Sequence, residues 1–278
     1  MKGRRRRLTP MNMKIMSWNV NSVRVRHDRL LGVLARHAPE VLCLQELKTE
    51  DKNFPFEALQ AAGYHAVTLG QKTYNGVALL SRQAPTDVLR GFDDGVEDPQ
   101  ARLISAVYEG VRIVCVYVPN GSTMGSEKWE YKRAWYGRLR AWLERHATPE
   151  TPLALCGDFN VAFDDRDVKT PADWADSVLY HPEARALLTG ITDWGLVDTF
   201  RLHQNEGGHY SWWDYRAGAW QKNDGLRIDF VLATRTLSAA CTAAGIDKEE
   251  RKPPKKTPEG EKPADNPSDH APIWAQFA

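Results

Sequence analysis

Several apolar stretches of the sequence adjoin carboxylate, amide, imidazole or phenol side chains, the groups that bind metals and transfer protons in enzymes. LALCG (153–157) leads into Asp158 and Asn160. Five other stretches place Asn19 and Asn21 after KIMSW, Glu46 after EVLCL, Tyr117 and Asn120 in and after VCVYV, Asp229 in RIDFVLA, and Asp269 with His270 before PIWAQF. One such residue is typical of a turn or helix cap. Six similar arrangements instead indicate that neighbouring strands deliver these groups to one edge.

The residue types predict metal-assisted chemistry at that edge. Glu46 offers a carboxylate oxygen and Asn19 an amide oxygen, a sparse ligand set that suits Mg²⁺ and leaves room for water and substrate oxygens. Asp158 can take a proton from an attacking water. His270, oriented by a carboxylate such as Asp229, can donate to a phosphoryl oxygen or act as a general acid.

Uncharged donors complete the set, and they suit an oxyanion whose charge is spread over several oxygens: Tyr117, Asn120 and Asn160. The sequence contains no nucleophile elbow of a Ser–His–Asp enzyme, no P-loop and no Rossmann fingerprint. We therefore expect metal-assisted attack of water on a phosphoester.

The elements that must position these residues are mostly strands. Ten apolar stretches bounded by Gly, Pro, Asn or Asp are predicted strands: MKIMSW, EVLCL, YHAVTL, GVALLS, RLISAVY, VRIVCVYV, PLALCG, HYSWW, RIDFVLA and PIWAQF. Periodicity predicts helices at 27–37, 54–63, 126–147 and 181–190. Consecutive strands such as RLISAVY and VRIVCVYV read as a hairpin. Two packed sheets covered by helices account for strands that are apolar on both faces.

Composition limits the class of protein. The 278 residues are 42% hydrophobic and 26% charged, with a net charge of +1, as in an ordinary globular protein. No apolar run is long enough for a membrane span. The basic start, MKGRRRR, lacks the apolar core of a secretory signal. The four widely spaced cysteines are predicted to be reduced, and we expect a cytoplasmic protein.

No linker divides the chain, so we expect one domain over residues 13–278. Residues 1–12 are predicted to be a disordered basic leader, with Met11 and Met13 as alternative starts. Residues 247–266 are charged and proline-rich, which predicts a flexible loop.

The ordered motifs SWNVNSVRVR, LCLQELK, NGVALLS, YVPNG, GDFNVA, WGLVDTFR, SWWDYR, LRIDFVL and PSDHAP closely resemble those of the exonuclease III and apurinic/apyrimidinic endonuclease family. The family belongs to the endonuclease–exonuclease–phosphatase superfamily. The resemblance spans residues 13–277 and implies a deoxyribonuclease I-like, four-layered α/β sandwich. It also implies Mg²⁺-dependent cleavage of DNA, with Mn²⁺ as a substitute.

The resemblance implies a role for each matching position. Asn19 and Glu46 match metal-binding positions, and Asp269 matches an acidic residue near the metal. Asp158 matches the residue that activates or orients the water, helped by Asn160. His270, paired with Asp229, matches a residue that contacts the scissile phosphate. Further matches are expected to contact phosphate or other parts of the substrate: Tyr117, Asn120 and Asn21.

The DNA side is implied less fully. Trp212 matches a wall of the pocket that receives a base-less sugar, with Leu226 and Ile228 as companions; Trp213 is expected in the core.

Arg216 is a candidate wedge into the duplex, and Arg102 lies in a region that resembles a DNA contact. Lys128 and Lys132 either approach phosphate or lie on the exposed face of helix 126–147. The extra residues PPKKTPEGEKPAD (253–265), absent from the family pattern, are a candidate for added duplex binding or a solvated insertion.

The predicted function is that of a monomeric DNA-repair nuclease. It cuts duplex DNA 5′ to abasic sites, trims blocked 3′ ends, and is located at the nucleoid through its DNA substrate rather than at a membrane. Two alternatives remain open. The first is the same chemistry on RNA, an inositol phosphate or sphingomyelin, and the second is a non-catalytic nucleic-acid-binding scaffold.

Overall fold

The structure is a computed structural model that describes residues 12–253 and 266–278. Within these residues the strands are β1 (Met13–Asn19), β2 (Val41–Gln45), β3 (His65–Leu69), β4 (Val77–Ser81), β5 (Thr86–Arg90), β6 (Leu103–Tyr108), β7 (Val111–Tyr117), β8 (Leu153–Asp158), β9 (Leu196–Asp198), β10 (Asp229–Thr234), β11 (Cys241–Ile246) and β12 (Ile273–Phe277). The α-helices are α1 (His27–His37), α2 (Phe56–Ala61), α3 (Glu127–His146), α4 (Pro171–Trp174), α5 (Pro182–Thr192), α6 (Ala219–Lys222), α7 (Arg235–Ser238) and α8 (Lys248–Arg251).

The described strands form two mixed sheets of six strands each. The first has the order β11-β12-β1-β2-β4-β3 and the second β5-β6-β7-β8-β10-β9. β1 pairs with β2 in parallel, and β7 pairs with β8 in parallel. The predicted hairpin is confirmed, since β6 and β7 are antiparallel neighbours.

Alternation along the central strands explains the layers. In β1, Ile15 faces the core shared by the two sheets, whereas Met16 and Trp18 face the cluster that includes α1. In β8, Cys156 faces the shared core and Leu155 faces the cluster that includes α3 and α5. Because successive side chains point to opposite faces, a strand covered on both sides is apolar throughout. The predicted four-layered sandwich is confirmed.

Strand pairing brings the polar residues to one edge. Asn19 ends β1 beside Gln45, the last residue of β2, because these strands are parallel. β12 is antiparallel to β1, so the residues that precede β12, including His270, lie at the same end. In the second sheet, Asp229 of β10 is the cross-strand partner of Asp158 in β8.

Two of the predicted elements differ from the structure. HYSWW forms only isolated bridges, in which Trp212 pairs with Leu226 and with His270. The flexible loop was predicted to start at residue 247, but residues 248–251 form the helix α8. Glu250 of this helix is buried, and its Oε1 lies 2.8 Å from Nη1 of Arg29. The basic leader and the extra residues 254–265 lie outside the described residues.

The strands not predicted are β5, β9 and β11, which are short or lie at sheet edges. Their side chains are largely exposed or half-buried, so they lack the apolar signal of central strands.

Among the described residues, no helix has both the length and the apolar character needed to cross a membrane. The four cysteines are free, as predicted.

Candidate active site

His270 lies between two carboxylates at the shared edge of the sheets. Its Nδ1 is 2.9 Å from Oδ2 of Asp229, and its Nε2 is 3.7 Å from Oδ2 of Asp158. Ser211 donates its hydroxyl to the same Asp229 oxygen at 2.6 Å. His270 is only 4% exposed, so the Asp229 contact fixes the orientation of its ring.

The buried charges shift each other's pKa. Burial alone would lower the pKa of His270, but the Asp229 and Asp158 carboxylates outweigh it and raise that pKa to about 10. Burial raises the pKa of Asp158 from 3.8 to about 7, with His270 opposing the rise and Asp229 adding to it. The two carboxylates thus favour the imidazolium, which can donate from Nε2, whereas burial favours the protonated form of Asp158.

Three side chains offer ligand atoms that converge at one point: Glu46, Asp158 and His270, whose atoms lie within 4.8 Å of one another. The two carboxylates supply the oxygen donors that Mg²⁺ prefers, so this donor set fits a hard divalent cation. Asn19 bridges them, since its Nδ2 donates to Glu46 Oε1 at 2.8 Å and to Asp158 Oδ2 at 3.0 Å. In this orientation Asn19 positions the carboxylates. To bind a metal through Oδ1, its amide must turn over.

Asp269 is not part of that converging group. Its Oδ1 accepts from Asn21 Nδ2 at 2.9 Å, and its Oδ2 accepts from Trp212 Nε1 at 3.0 Å. Burial would raise the pKa of Asp269, but the charge of His270 and these hydrogen bonds lower it. Asp269 thus joins the loop after β1 to the loop that carries Trp212.

Asn160 and Asn120 form a linked pair beside Asp158. The backbone N–H of Asn160 donates to Asp158 Oδ1 at 2.8 Å, which orients that carboxylate. Asn120 Nδ2 donates to Asn160 Oδ1 at 3.0 Å, and Asn160 Nδ2 donates to the Val118 carbonyl at 2.9 Å. Asn160 adopts a left-handed backbone with φ 49°, which Asn tolerates better than most residues.

Tyr117 lies at the end of β7 beside the carboxylates. Burial raises the pKa of its phenol well above the usual value, and the charges of Glu46 and Asp158 raise it further. The hydroxyl is therefore protonated at neutral pH and can donate. The Arg102 guanidinium lies 4.6 Å from the centre of the Tyr117 ring and donates to the Tyr117 carbonyl at 3.0 Å. The structure places Arg102 as a support for Tyr117.

The predicted pocket walls lie together, but they are covered. Leu226 is 0% and Ile228 2% exposed, within the core cluster of the second sheet. Trp212 pairs with Leu226 through the backbone and packs edge-on against Trp174, with ring centroids 6.0 Å apart. In this conformation Trp212 and Trp174 are the aromatic residues of the group that retain exposed surface. Trp213 is fully buried, as predicted.

The loop after Trp213 presents Tyr215 and Arg216 to solvent. The Tyr215 residue is 52% exposed, and the Arg216 side chain is 86% exposed. Arg216 pairs with Asp214 at 2.8 Å, a contact that solvent screens and a phosphate can replace. The exposure of this loop is compatible with the predicted wedge.

Sequence reasoning missed four residues that hold the site together. Ser211 supports Asp229, and Ser268 donates to the Asn19 carbonyl at 2.6 Å. Lys48 lies 2.9 Å from Glu46 Oε2. Lys132 is fully buried, so its predicted place on an exposed helix face or on phosphate is wrong. The two serines and Lys48 stand inside quoted motifs, whereas the three carbonyl partners of Lys132 are distant in sequence and give no local signal.

Comparison with known proteins agrees with this geometry. A sequence profile described as the endonuclease/exonuclease/phosphatase family matches residues 16–270. The chain is 35% identical to exodeoxyribonuclease III of Haemophilus influenzae over 277 residues, which cover 95% of this chain and all of that protein. It is also 35% identical to the DNA repair nuclease APEX1 of Danio rerio, over 85% of this chain and 80% of that protein.

Two solved structures share the fold over nearly their full length. The 3′ phosphatase NExo from Neisseria, bound to a product DNA hairpin, superposes with a TM-score of 0.87 at 39% identity and covers 96% of this chain and 99% of that chain. An AP endonuclease from Archaeoglobus fulgidus also has a TM-score of 0.87, at 37% identity, with coverage of 95% and 99%. The chain therefore belongs to the endonuclease/exonuclease/phosphatase family and is a DNA-repair nuclease of the exonuclease III type.

Proposed function

We propose that this single-domain nuclease hydrolyses duplex DNA 5′ to abasic sites and removes nucleotides or blocking groups from 3′ ends. The observation that carries the proposal is the convergence of Glu46, Asp158 and His270 at one point, with His270 held by Asp229 at 2.9 Å. Two carboxylates and a buried imidazolium suit the attack of water on a phosphodiester.

Glu46 is the carboxylate that would hold Mg²⁺ or Mn²⁺, with Asn19 as a further ligand after amide rotation, and Asp158 faces the same point as the base. The bound cation would supply Lewis-acid stabilisation of the negative phosphate oxygens. The proposal assigns Asp269 to the acidic surroundings of the site, where it holds the loop of Asn21.

The chain's own residues supply the proton transfers and the anion-binding groups. Asp158 accepts the proton of the attacking water, and the N–H of Asn160 holds its carboxylate in place. His270 donates from Nε2 to a phosphoryl oxygen, since its pKa of about 10 keeps it charged at neutral pH. Neutral donors surround the same oxyanion: Tyr117, Asn120 and Asn160.

The names of the related proteins support DNA as substrate, because they include exodeoxyribonucleases, an AP endonuclease and a 3′ phosphatase seen with a DNA hairpin. We assign Trp212 to the sugar-contacting surface, with Leu226 and Ile228 beneath it, and Arg216 to the duplex. Asn21 and Arg102 are assigned to the substrate side through the loops they hold. The protein is proposed to act as a monomer in the cytoplasm, on DNA of the nucleoid.

The test uses two labelled duplexes, one with a single abasic-site analogue and one with a 3′-phosphate at a nick, beside an undamaged duplex. Each is incubated with Mg²⁺, with Mn²⁺ and with EDTA, for wild type and Asp158→Asn. We expect metal-dependent incision at the lesion and removal of the 3′-phosphate, both lost in the variant. Cleavage of RNA or a phospholipid headgroup with intact DNA would redirect the assignment to another substrate of the same chemistry.

A further inference from the structure

Lys132 is a lysine of α3 whose side chain is buried without a carboxylate partner in hydrogen-bond reach among the described residues. It is 0% exposed. Its Nζ donates to three backbone carbonyls, at 3.0 Å to Asn120, 2.7 Å to Asn160 and 2.9 Å to Val178. A buried charge is costly unless all of its donors are used, and these three acceptors match the three N–H groups of an ammonium.

The three carbonyls belong to three different loops around the candidate site. Asn120 follows β7, Asn160 follows β8, and Val178 precedes α5. The two asparagines also bond to each other at 3.0 Å, and the Asn160 N–H holds Asp158 at 2.8 Å. One ammonium therefore holds both asparagines of a hydrogen-bond chain that ends on Asp158, the candidate base.

The surroundings of Lys132 leave it little freedom. A Cβ on Gly121 would lie 3.0 Å from Lys132 Cδ, so the stem is packed tightly against the loop after β7. Burial lowers the pKa of Lys132 to about 7, and the negative charge of Asp158 opposes this.

We propose that Lys132 is a positioning residue of the nuclease: its buried ammonium clamps the loops of Asn120 and Asn160 so that the Asn160 N–H holds Asp158 in its working orientation. This inference rests on the role given to Asp158 in the proposed function. Lys132 itself touches no substrate, because its three donors are used inside the protein.

The variants Lys132→Met and Lys132→Arg test the clamp, with Leu139→Ala as the matched control. Leu139 is on the same helix, fully buried in the apolar cluster between α3 and the second sheet, and has no polar group that could bond to the loops. Cleavage of a 3′-recessed duplex is measured as kcat and KM, well below the melting temperature of each variant. We expect Lys132→Met to lower kcat by about 10²-fold with little change in KM, as a displacement of about 1 Å in a catalytic group does.

Two comparisons decide the outcome. Leu139→Ala is expected to keep kcat close to wild type. Lys132→Arg keeps the charge, but its larger planar group does not reproduce the three bonds, so kcat should fall as well. If Lys132→Met and Leu139→Ala lower kcat equally, or if Lys132→Arg keeps the wild-type kcat, the positioning role is overturned.

If Lys132→Met does not fold, the hydrogen bonds of Lys132 are tested on the wild-type protein instead. In ¹⁵N-labelled protein near pH 6, the Lys132 ammonium should give a distinct signal whose protons exchange slowly with water. Exchange as fast as that of exposed lysines would overturn the clamp. Failure of wild type to cleave DNA would instead refute the proposed function, while this signal would still report on the clamp.

Discussion

The substitution Asp229→Asn isolates the charge that holds His270, because asparagine keeps the shape and the oxygen acceptor. The pKa of His270 is raised from 6.5 to about 10, which corresponds to about 5 kcal/mol of preference for the imidazolium. Asp229 at 2.9 Å and Asp158 at 3.7 Å share this effect. We expect removal of the nearer charge to reduce this preference for the imidazolium by roughly half or more, about 2–3 kcal/mol. The pKa of His270 should then fall by about 2.

The assay is a pH titration of the histidine ring carbons by NMR, in EDTA, for wild type and Asp229→Asn. The chain has eight histidines, so the other seven serve as internal controls. The activity of the variant should fall by about 10²- to 10⁴-fold, the usual contribution of a general acid or base. If the pKa of His270 stays unchanged while activity falls, the electrostatic account is wrong and Asp229 acts through geometry alone.

Four further predictions address the metal site, the buried charges and the core. Glu46→Gln should weaken Mn²⁺ binding by at least about 10-fold, measured calorimetrically, because even residues outside a ligand shell have effects of this size. Arg227→Met removes a fully buried guanidinium that pairs with Asp167 and Asp198 and leaves Asp167 with Arg201 as its ion-pair partner; it should cost about 3 kcal/mol of unfolding free energy in guanidinium denaturation. Gly157→Ala should fail to fold, judged by circular dichroism, since its Cβ would lie 1.9 Å from the Val116 carbonyl oxygen. Because the folded-state pKa of His270 is raised to about 10, its stabilising contribution is present below pH 6.5 and is lost as pH rises towards 10; thermal melts in EDTA should fall over that window.

The sequence by itself determined the layers and the elements that carry the site. Stretches apolar on both faces, such as those around Ile15 and Leu155, are typical of strands covered on two sides when they are short and bounded by turn residues, and the structure buries both. The residue types at their ends limited the chemistry to carboxylates, amides and an imidazole. These signals are local, which is why α1 was predicted at its observed bounds, 27–37. Edge strands and Trp212, whose pairing depends on distant partners, lacked such a signal.

Only the tertiary structure decided which polar groups touch. Asp229 and Asp158 are 71 residues apart and become cross-strand partners, while Asp269, adjacent to His270, turns to Asn21 and Trp212. The same holds for Lys132, for which the sequence left only phosphate or an exposed helix face as alternatives, both wrong. Its burial depends on three carbonyls from three loops, and the matching of donors to acceptors across long separations is not encoded in any local pattern. The residue types thus limit which reactions the site can support. Tertiary packing decides which of these groups touch and how their pKa values shift.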